Sequence, residues 1–292
     1  MVTINGFRLF IFVGIPIMLS GELNTMAQAD NSDAPLVARQ ALETFMTKWN
    51  TGDDEQLRTA MNFPFVTFIG GSRVIIHDSP KDSSQGFDRM RERDGWDHSS
   101  FDYDSMEIFM SSAEKVHLSI DYSRFKADGE RYSTGNVFYA ITKQEEHWGV
   151  QMRSPVGKEV PAEKQTESIA DARAAVVGYM EAFNAGDGAQ SDLHLNFPHL
   201  FMMGGRVSES SDTAAPNFER MRESQNWHVS TLDSLEASIV TPNKVHFEVV
   251  FSRWHPDGTR YWTVPALWIV TKNGDHWGIQ LRSLMPATFS DQ

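Results

Sequence analysis

The chain spells out one long run of residues twice. Trp49-Asn50-Thr51-Gly52-Asp53 returns as Phe183-Asn184-Ala185-Gly186-Asp187, and Asn62-Phe63-Pro64 returns as Asn196-Phe197-Pro198, both 134 positions on. Phe87-Asp88-Arg89-Met90-Arg91-Glu92 and Trp96 recur as Phe218-Glu219-Arg220-Met221-Arg222-Glu223 and Trp227, 131 positions on. From Asp104 onward the offset is 129: Val116-His117 meets Val245-His246, Ser123-Arg124-Phe125 meets Ser252-Arg253-Trp254, and His147 to Ser154 meets His276 to Ser283. Ordered self-similarity of this length means that one supersecondary unit is built twice. The offset changes only by a few residues, between matched blocks, where loops are expected. Two equivalent domains follow, at 33–154 and 168–286. Pro155, Pro161 and a polar, charged composition mark 155–167 as the linker.

Within a copy the patterning is read directly. Leu36, Val37, Ala41, Leu42, Phe45, Met46 and Trp49 keep helical spacing. Asp33 and Pro35 open that helix and Gly52 closes it. Asp53 caps a second, short helix. Phe65 to Gly71 has the character of a strand, and 85–93 that of a third helix. Val116, Leu118, Ile120 and Tyr122 alternate with polar residues, Asp128-Gly129 turns the chain, and two more strands follow. The order α-α-β-α-β-β-β-β places helices first and antiparallel strands later. That is an α+β fold, with a curved sheet wrapped over helices and a cavity at its wide end.

Composition narrows the function classes. The net charge is −13, which disfavours nucleic acid and anionic membrane surfaces as partners. There is no cysteine, so disulfides, thiolate nucleophiles and thiolate metal sites are excluded. Leu9 to Leu19 is apolar and Ala27-Gln28-Ala29 suits a signal peptidase. A secretory leader over 1–29, cleaved after Ala29, is expected, and with it a periplasmic or secreted location. No His-Glu-x-x-His run, phosphate loop or nucleophile elbow occurs, so no metal and no cofactor is expected.

The element order, the Asn184-Ala185-Gly186-Asp187 turn, the strand pair around Asp257-Gly258 and the last strand from Trp277 to Ser283 resemble the nuclear transport factor 2-like (SnoaL-like, ketosteroid isomerase-like) superfamily. The resemblance covers nearly all of the chain after the leader, once per repeat. It implies two cystatin-like α+β cones joined sheet to sheet as an intramolecular pseudo-dimer. It implies no single activity, because this fold carries isomerases, cyclases, dehydratases and non-catalytic binders. The isomerases' oxyanion-hole tyrosine falls on Tyr179 in the second copy and on Phe45 in the first. Their general-base aspartate falls on Met203 and Ile69. Their late-strand acid falls in Ala266-Leu267 and Val137-Phe138. With no acid at either place, steroid isomerisation is not expected.

The candidate polar groups each carry two readings. His199 is a general base at the cavity mouth, or a strand-end histidine bonded to backbone. His117 and His246 pair with Asp121 and Glu248 for acid–base chemistry, or form a polar face joining the copies. Gln280 and Arg282, like Gln151 and Arg153, hold a ligand carboxylate, or line the contact between sheets. Trp254, Trp262, Trp268 and Met203 line an apolar pocket, or simply pack. The leading expectation is an exported protein that binds a small, largely apolar molecule in a cavity of roughly 300–1,000 Å³. The alternatives are an isomerase, lyase or cyclase using Tyr179 and His199 in repeat 2, and a structural module with filled cones.

Overall fold

A computed structural model describes residues 33–70, 73–157 and 161–289. The leader expected at 1–29 lies outside the described residues. Repeat 1 runs α1 (Ala34–Trp49), α2 (Asp54–Arg58), β1 (Met61–Ile69), β2 (Arg73–His77), α3 (Phe87–Asp94), β3 (Trp96–Ser111), β4 (Lys115–Lys126), β5 (Arg131–Gln144) and β6 (His147–Gly157). Repeat 2 runs α4 (Ala162–Ala185), α5 (Gly188–Asp192), β7 (Leu195–Met203), β8 (Arg206–Ser210), α6 (Phe218–Gln225), β9 (Val229–Thr241), β10 (Lys244–Trp254), β11 (Arg260–Asn273) and β12 (His276–Leu284). A last strand, β13 (Thr288–Phe289), pairs with β11. Of the stretch 155–167, read as linker, 155–157 belongs to the end of β6 and 162–167 to the first turns of α4.

The two sheets have the same order, β2-β1-β6-β5-β4-β3 and β8-β7-β12-β11-β10-β9. The pairs β1–β6 and β7–β12 are parallel and the rest are antiparallel. The chain is therefore two tandem α+β domains of one architecture, as the repeat requires. The short hairpin strands β2 and β8 were not foreseen. β8 is polar, β2 is a short unbroken run of Val74-Ile75-Ile76, and both are at most partly buried, so no alternating period marks either.

The repeated motifs turn out to be fasteners. Gly52 and Gly186 end the long helices at φ +61° and +71°, where glycine is favoured. Asp53 then accepts from the backbone of Glu55 and Gln56, and Asp187 from Gln190, capping the next helix. Asn50 Nδ2 donates to the Ser99 carbonyl and its Oδ1 accepts from the Ser99 N–H, both at 2.8 Å. Asn184 makes the same two bonds to Ser230. Asn62 and Asn196 likewise tie the β1 and β7 starts to Thr142 and Thr271. Each fastener ties a helix end or strand start to the sheet of its own repeat.

Side chains alternate across each strand, so one face of a sheet fills its own cone and the other meets the partner sheet. On β10, Val245, Phe247, Val249 and Phe251 point into the repeat 2 cone. A separate apolar cluster joins the two sheets, with Val66, Phe68, Phe138 and Met152 against Leu200, Met202, Ile269 and Leu281. Two polar brackets flank it. Lys115 Nζ donates to Ser283 Oγ and the Leu284 carbonyl at 3.0 and 2.7 Å, and His117 Nε2 meets the same Ser283 hydroxyl at 3.0 Å. Lys244 and His246 repeat this on Ser154 and the Pro155 carbonyl. The histidines thus join the copies. The His117–Asp121 and His246–Glu248 pairs are not formed: Asp121 accepts from Asn136 instead.

Candidate functional site

Each cone keeps a cavity between its long helix and the concave face of its sheet. The repeat 2 cavity is about 80 Å³ and the repeat 1 cavity about 50 Å³. Both are smaller than the expected 300–1,000 Å³, because aromatic rings fill most of the cone. Tyr179 packs edge-on against Trp268 with ring centroids 5.8 Å apart, and Phe251 packs edge-on against Trp262 at 5.8 Å. The walls of the two cavities are equivalent by the repeat. Phe45 answers Tyr179, Tyr122 answers Phe251, Arg124 answers Arg253, Tyr139 answers Trp268 and Arg153 answers Arg282.

The predicted residues separate into three groups. Tyr179, Trp262, Trp268 and Arg282 line the repeat 2 cavity. His199 stands behind it, buried, with Nδ1 against the Ile279 carbonyl at 2.9 Å and Nε2 accepting from Arg282 Nε at 3.0 Å. Those two bonds fix the Nδ1–H tautomer and use both nitrogens. Burial first, and the Arg282 cation second, push His199 down to about 3. It is a neutral acceptor for a guanidinium and has no free nitrogen to act as a base.

Trp254, Met203 and Gln280 lie elsewhere. Trp254 Nε1 donates to Thr231 Oγ1, outside the cavity. Met203 is 57% exposed at the end of β7, and Ile69 is 44% exposed in repeat 1. The ungapped comparison with isomerase bases therefore lands on outward-facing positions. Gln280 is the extra residue of a bulge, since Ile269 faces Leu281 while Val270 faces Ile279. The bulge breaks the alternation that would put Gln280 beside Arg282. Its amide instead donates to the Asn196 and Pro198 carbonyls.

Arg253 was not singled out as a ligand contact, yet it lines the cavity. The signal was present: Arg253 lies an odd number of residues from the interface residue His246, hence on the opposite face of β10. Its guanidinium sits 4.3 Å from the Trp262 ring centre, and its NH1 donates to Gln225 Oε1 at 2.9 Å. Arg253 and Trp262 also line an outer cleft beside Gln225, His255 and Tyr261, so they stand between cavity and surface. Arg282 donates from NH1 to the Tyr179 hydroxyl and lies over the Tyr179 ring. Burial raises the Tyr179 phenol above its usual range, so it stays protonated at neutral pH. Among the described residues, the lining has no carboxylate and no imidazole.

No protein-family profile matches the chain, and no curated protein does. Solved structures are similar to about one repeat of it. An NTF-2 like protein of unknown function from Shewanella oneidensis aligns over 39% of this chain and 96% of its own, at 14% identity and a TM-score of 0.34. A protein of unknown function with a cystatin-like fold from Nostoc punctiforme covers 44% and 93%, at 9% identity and 0.36. Aln2 from a Streptomyces species covers 43% and 91%, at 15% identity and 0.36.

Proposed function

We propose that this chain is an exported protein that binds a small, largely apolar molecule in the cone of repeat 2. The observation that carries the reading is the cavity's make-up. Its walls are mainly apolar, with Met180, Phe183, Phe201, Phe251 and Leu284, and a few polar atoms converge from Tyr179, Arg253, Trp268 and Arg282. Apolar walls with sparse polar groups are the usual design of a small-molecule site. The volume restricts the ligand to a handful of heavy atoms. Repeat 1 acts as the partner that covers the back of the sheet. Turnover by an isomerase, lyase or cyclase route is less well supported, because no lining group takes up a proton at neutral pH.

The test is an unbiased ligand search on the chain starting after Ala29, by native mass spectrometry and thermal shift. A bound species displaced by filling the cone, through Met180→Phe, supports the reading. A bound species that persists in that variant places the site elsewhere and sinks it.

A further inference from the structure

We propose that the ligand of the repeat 2 cavity is a short-chain carboxylate, held by the guanidinium pair Arg253 and Arg282. This rests on the small-molecule reading above and adds the chemical class.

The argument is an inventory of donors and acceptors. Trp268 Nε1 is buried and finds no acceptor among the described residues, and Arg253 Nε is buried without a well-aligned acceptor, with the Tyr261 hydroxyl beside its guanidinium. The Trp268 and Arg253 side chains both line the cavity. The Tyr179 oxygen already accepts from Arg282, so its own O–H is left to donate. Ser230 Oγ accepts from Trp227 Nε1 at 3.0 Å, which leaves the serine proton as another donor. The polar lining therefore offers donors from four residues around Arg282, against only the remaining lone pairs of the Tyr179 and Ser230 hydroxyls as acceptors.

Such a lining discriminates by charge. An amine finds mainly donors and two cations, with hydroxyl lone pairs as its only acceptors. An alcohol or amide satisfies part of the set and brings hydrogens that compete for those few lone pairs. A carboxylate brings two oxygens with about four acceptor sites and no hydrogen. It matches the fork of a guanidinium in a way that a compact ammonium does not. Neither Arg253 nor Arg282 has a carboxylate partner among the described ion pairs. The two positive charges thus face the cavity uncompensated, inside a chain whose net charge is −13.

A bracing role accounts for Arg282, which holds Tyr179 and His199. It does not account for Arg253 Nε or for the Trp268 indole. The pair also recurs in repeat 1 as Arg124 and Arg153, where Trp49 Nε1 is again a buried donor without an acceptor among the described residues. Different tryptophans, on a helix in one copy and on a strand in the other, supply the same unsatisfied donor. The apolar walls select an organic anion over an inorganic one. The volume of about 80 Å³ selects one of a few carbons.

Isobutyrate, isobutyramide, isobutylamine and sulfate make a matched panel for calorimetric titration of the mature chain at neutral pH. Isobutyrate is expected to bind at least tenfold tighter than the amide, and the amine and sulfate not at all. Arg253→Met is expected to weaken isobutyrate at least tenfold, while Arg124→Met in the other cone leaves that site intact. Trp268→Phe removes the N–H together with the five-membered ring, so the reading is the comparison of ligands: a loss for isobutyrate severalfold larger than the loss for isobutyramide does not depend on the arginine variant folding. Equal binding of acid and amide, or a neutral or cationic ligand found in this cone by mass spectrometry, overturns the carboxylate assignment and leaves the binding reading standing. Tighter binding of sulfate than isobutyrate overturns it too. No ligand of any charge in either experiment overturns both.

Discussion

Arg282 Nε donates to His199 Nε2 at 3.0 Å, and in repeat 1 the equivalent Arg153 Nε donates to Thr67 Oγ1 at 3.3 Å. The acceptor has moved by two residues along the strand, staying on the same face. The aromatic ring has moved the other way: Phe65 in repeat 1 stands where His199 does, and Phe201 stands where Thr67 does. The two copies supply an acceptor to the equivalent guanidinium from the same strand face, with the acceptor and phenylalanine positions exchanged.

His199→Phe alone removes the acceptor and leaves a buried guanidinium N–H unpaired. It is expected to cost about 1–3 kcal/mol, read by urea unfolding. Adding Phe201→Thr recreates the repeat 1 arrangement and is expected to recover most of the loss. A single variant as stable as the parent, or a double variant no better than the single, contradicts the exchange.

The same histidine sets an acid limit. Its folded value is about 3, against 6.5 when unperturbed, so between those two values the unfolded chain holds the extra proton. Stability therefore rises with pH across that window and is lost as pH falls through it. The parent is expected to lose stability between pH 6.5 and 4 more steeply than the His199→Phe, Phe201→Thr double variant. Parallel pH curves would show that the His199 proton is not excluded by folding.

The interface lysines predict a slope at alkaline pH. Burial pushes Lys115 and Lys244 down from 10.5 to about 7. Between 7 and 10.5 the unfolded chain again binds more protons, so stability rises with pH and is lowest where both lysines are charged. Melting temperature is expected to rise from pH 7 to pH 9. The rise should shrink in a Lys115→Met, Lys244→Met variant, whose side chains keep the length and lose the charge. An unchanged slope in that variant would rule the lysines out as its source.

What could be read in the chain, and what could not, follows from these cases. The repeat exposes the fold because the residues it retains are fasteners: Asn50 and Asn184, Gly52 and Gly186, Asn62 and Asn196 act on backbone, and backbone geometry is the same in both copies. Tyr179 and Arg282 were legible because they break or ride on that pattern at positions facing inward. Trp254, Met203 and Gln280 misled for local reasons. A strand end turns Met203 outward, a bulge turns Gln280 toward backbone, and Trp254 finds Thr231 outside the cone. No period in the residues signals a bulge. The cavity's small volume was also hidden, since it depends on how tightly rings from distant strands interlock.

Gly278, on β12, lies tight against the backbone at the start of the parallel strand β7. A Cβ on Gly278 would sit 2.7 Å from the Leu195 carbonyl carbon and 2.9 Å from the Asn196 nitrogen. Those neighbours are backbone and cannot rotate away, so Gly278→Ala must push β7 from β12. Its backbone angle is ordinary, so the cost is contact and not conformation. Gly274 is the reverse: φ is +62° and nothing lies within 4 Å of its missing Cβ. Gly274→Ala is expected to cost about 1 kcal/mol, for the left-handed backbone alone. Gly278→Ala is expected to cost about 1–3 kcal/mol by overpacking. Only the second separates the strands that carry His199 and Arg282, so only it should weaken binding of the cavity's ligand. Unfolding curves and ligand titrations on the two variants distinguish the effects. Equal affinity in both would mean that the β7–β12 junction does not hold the guanidinium in place.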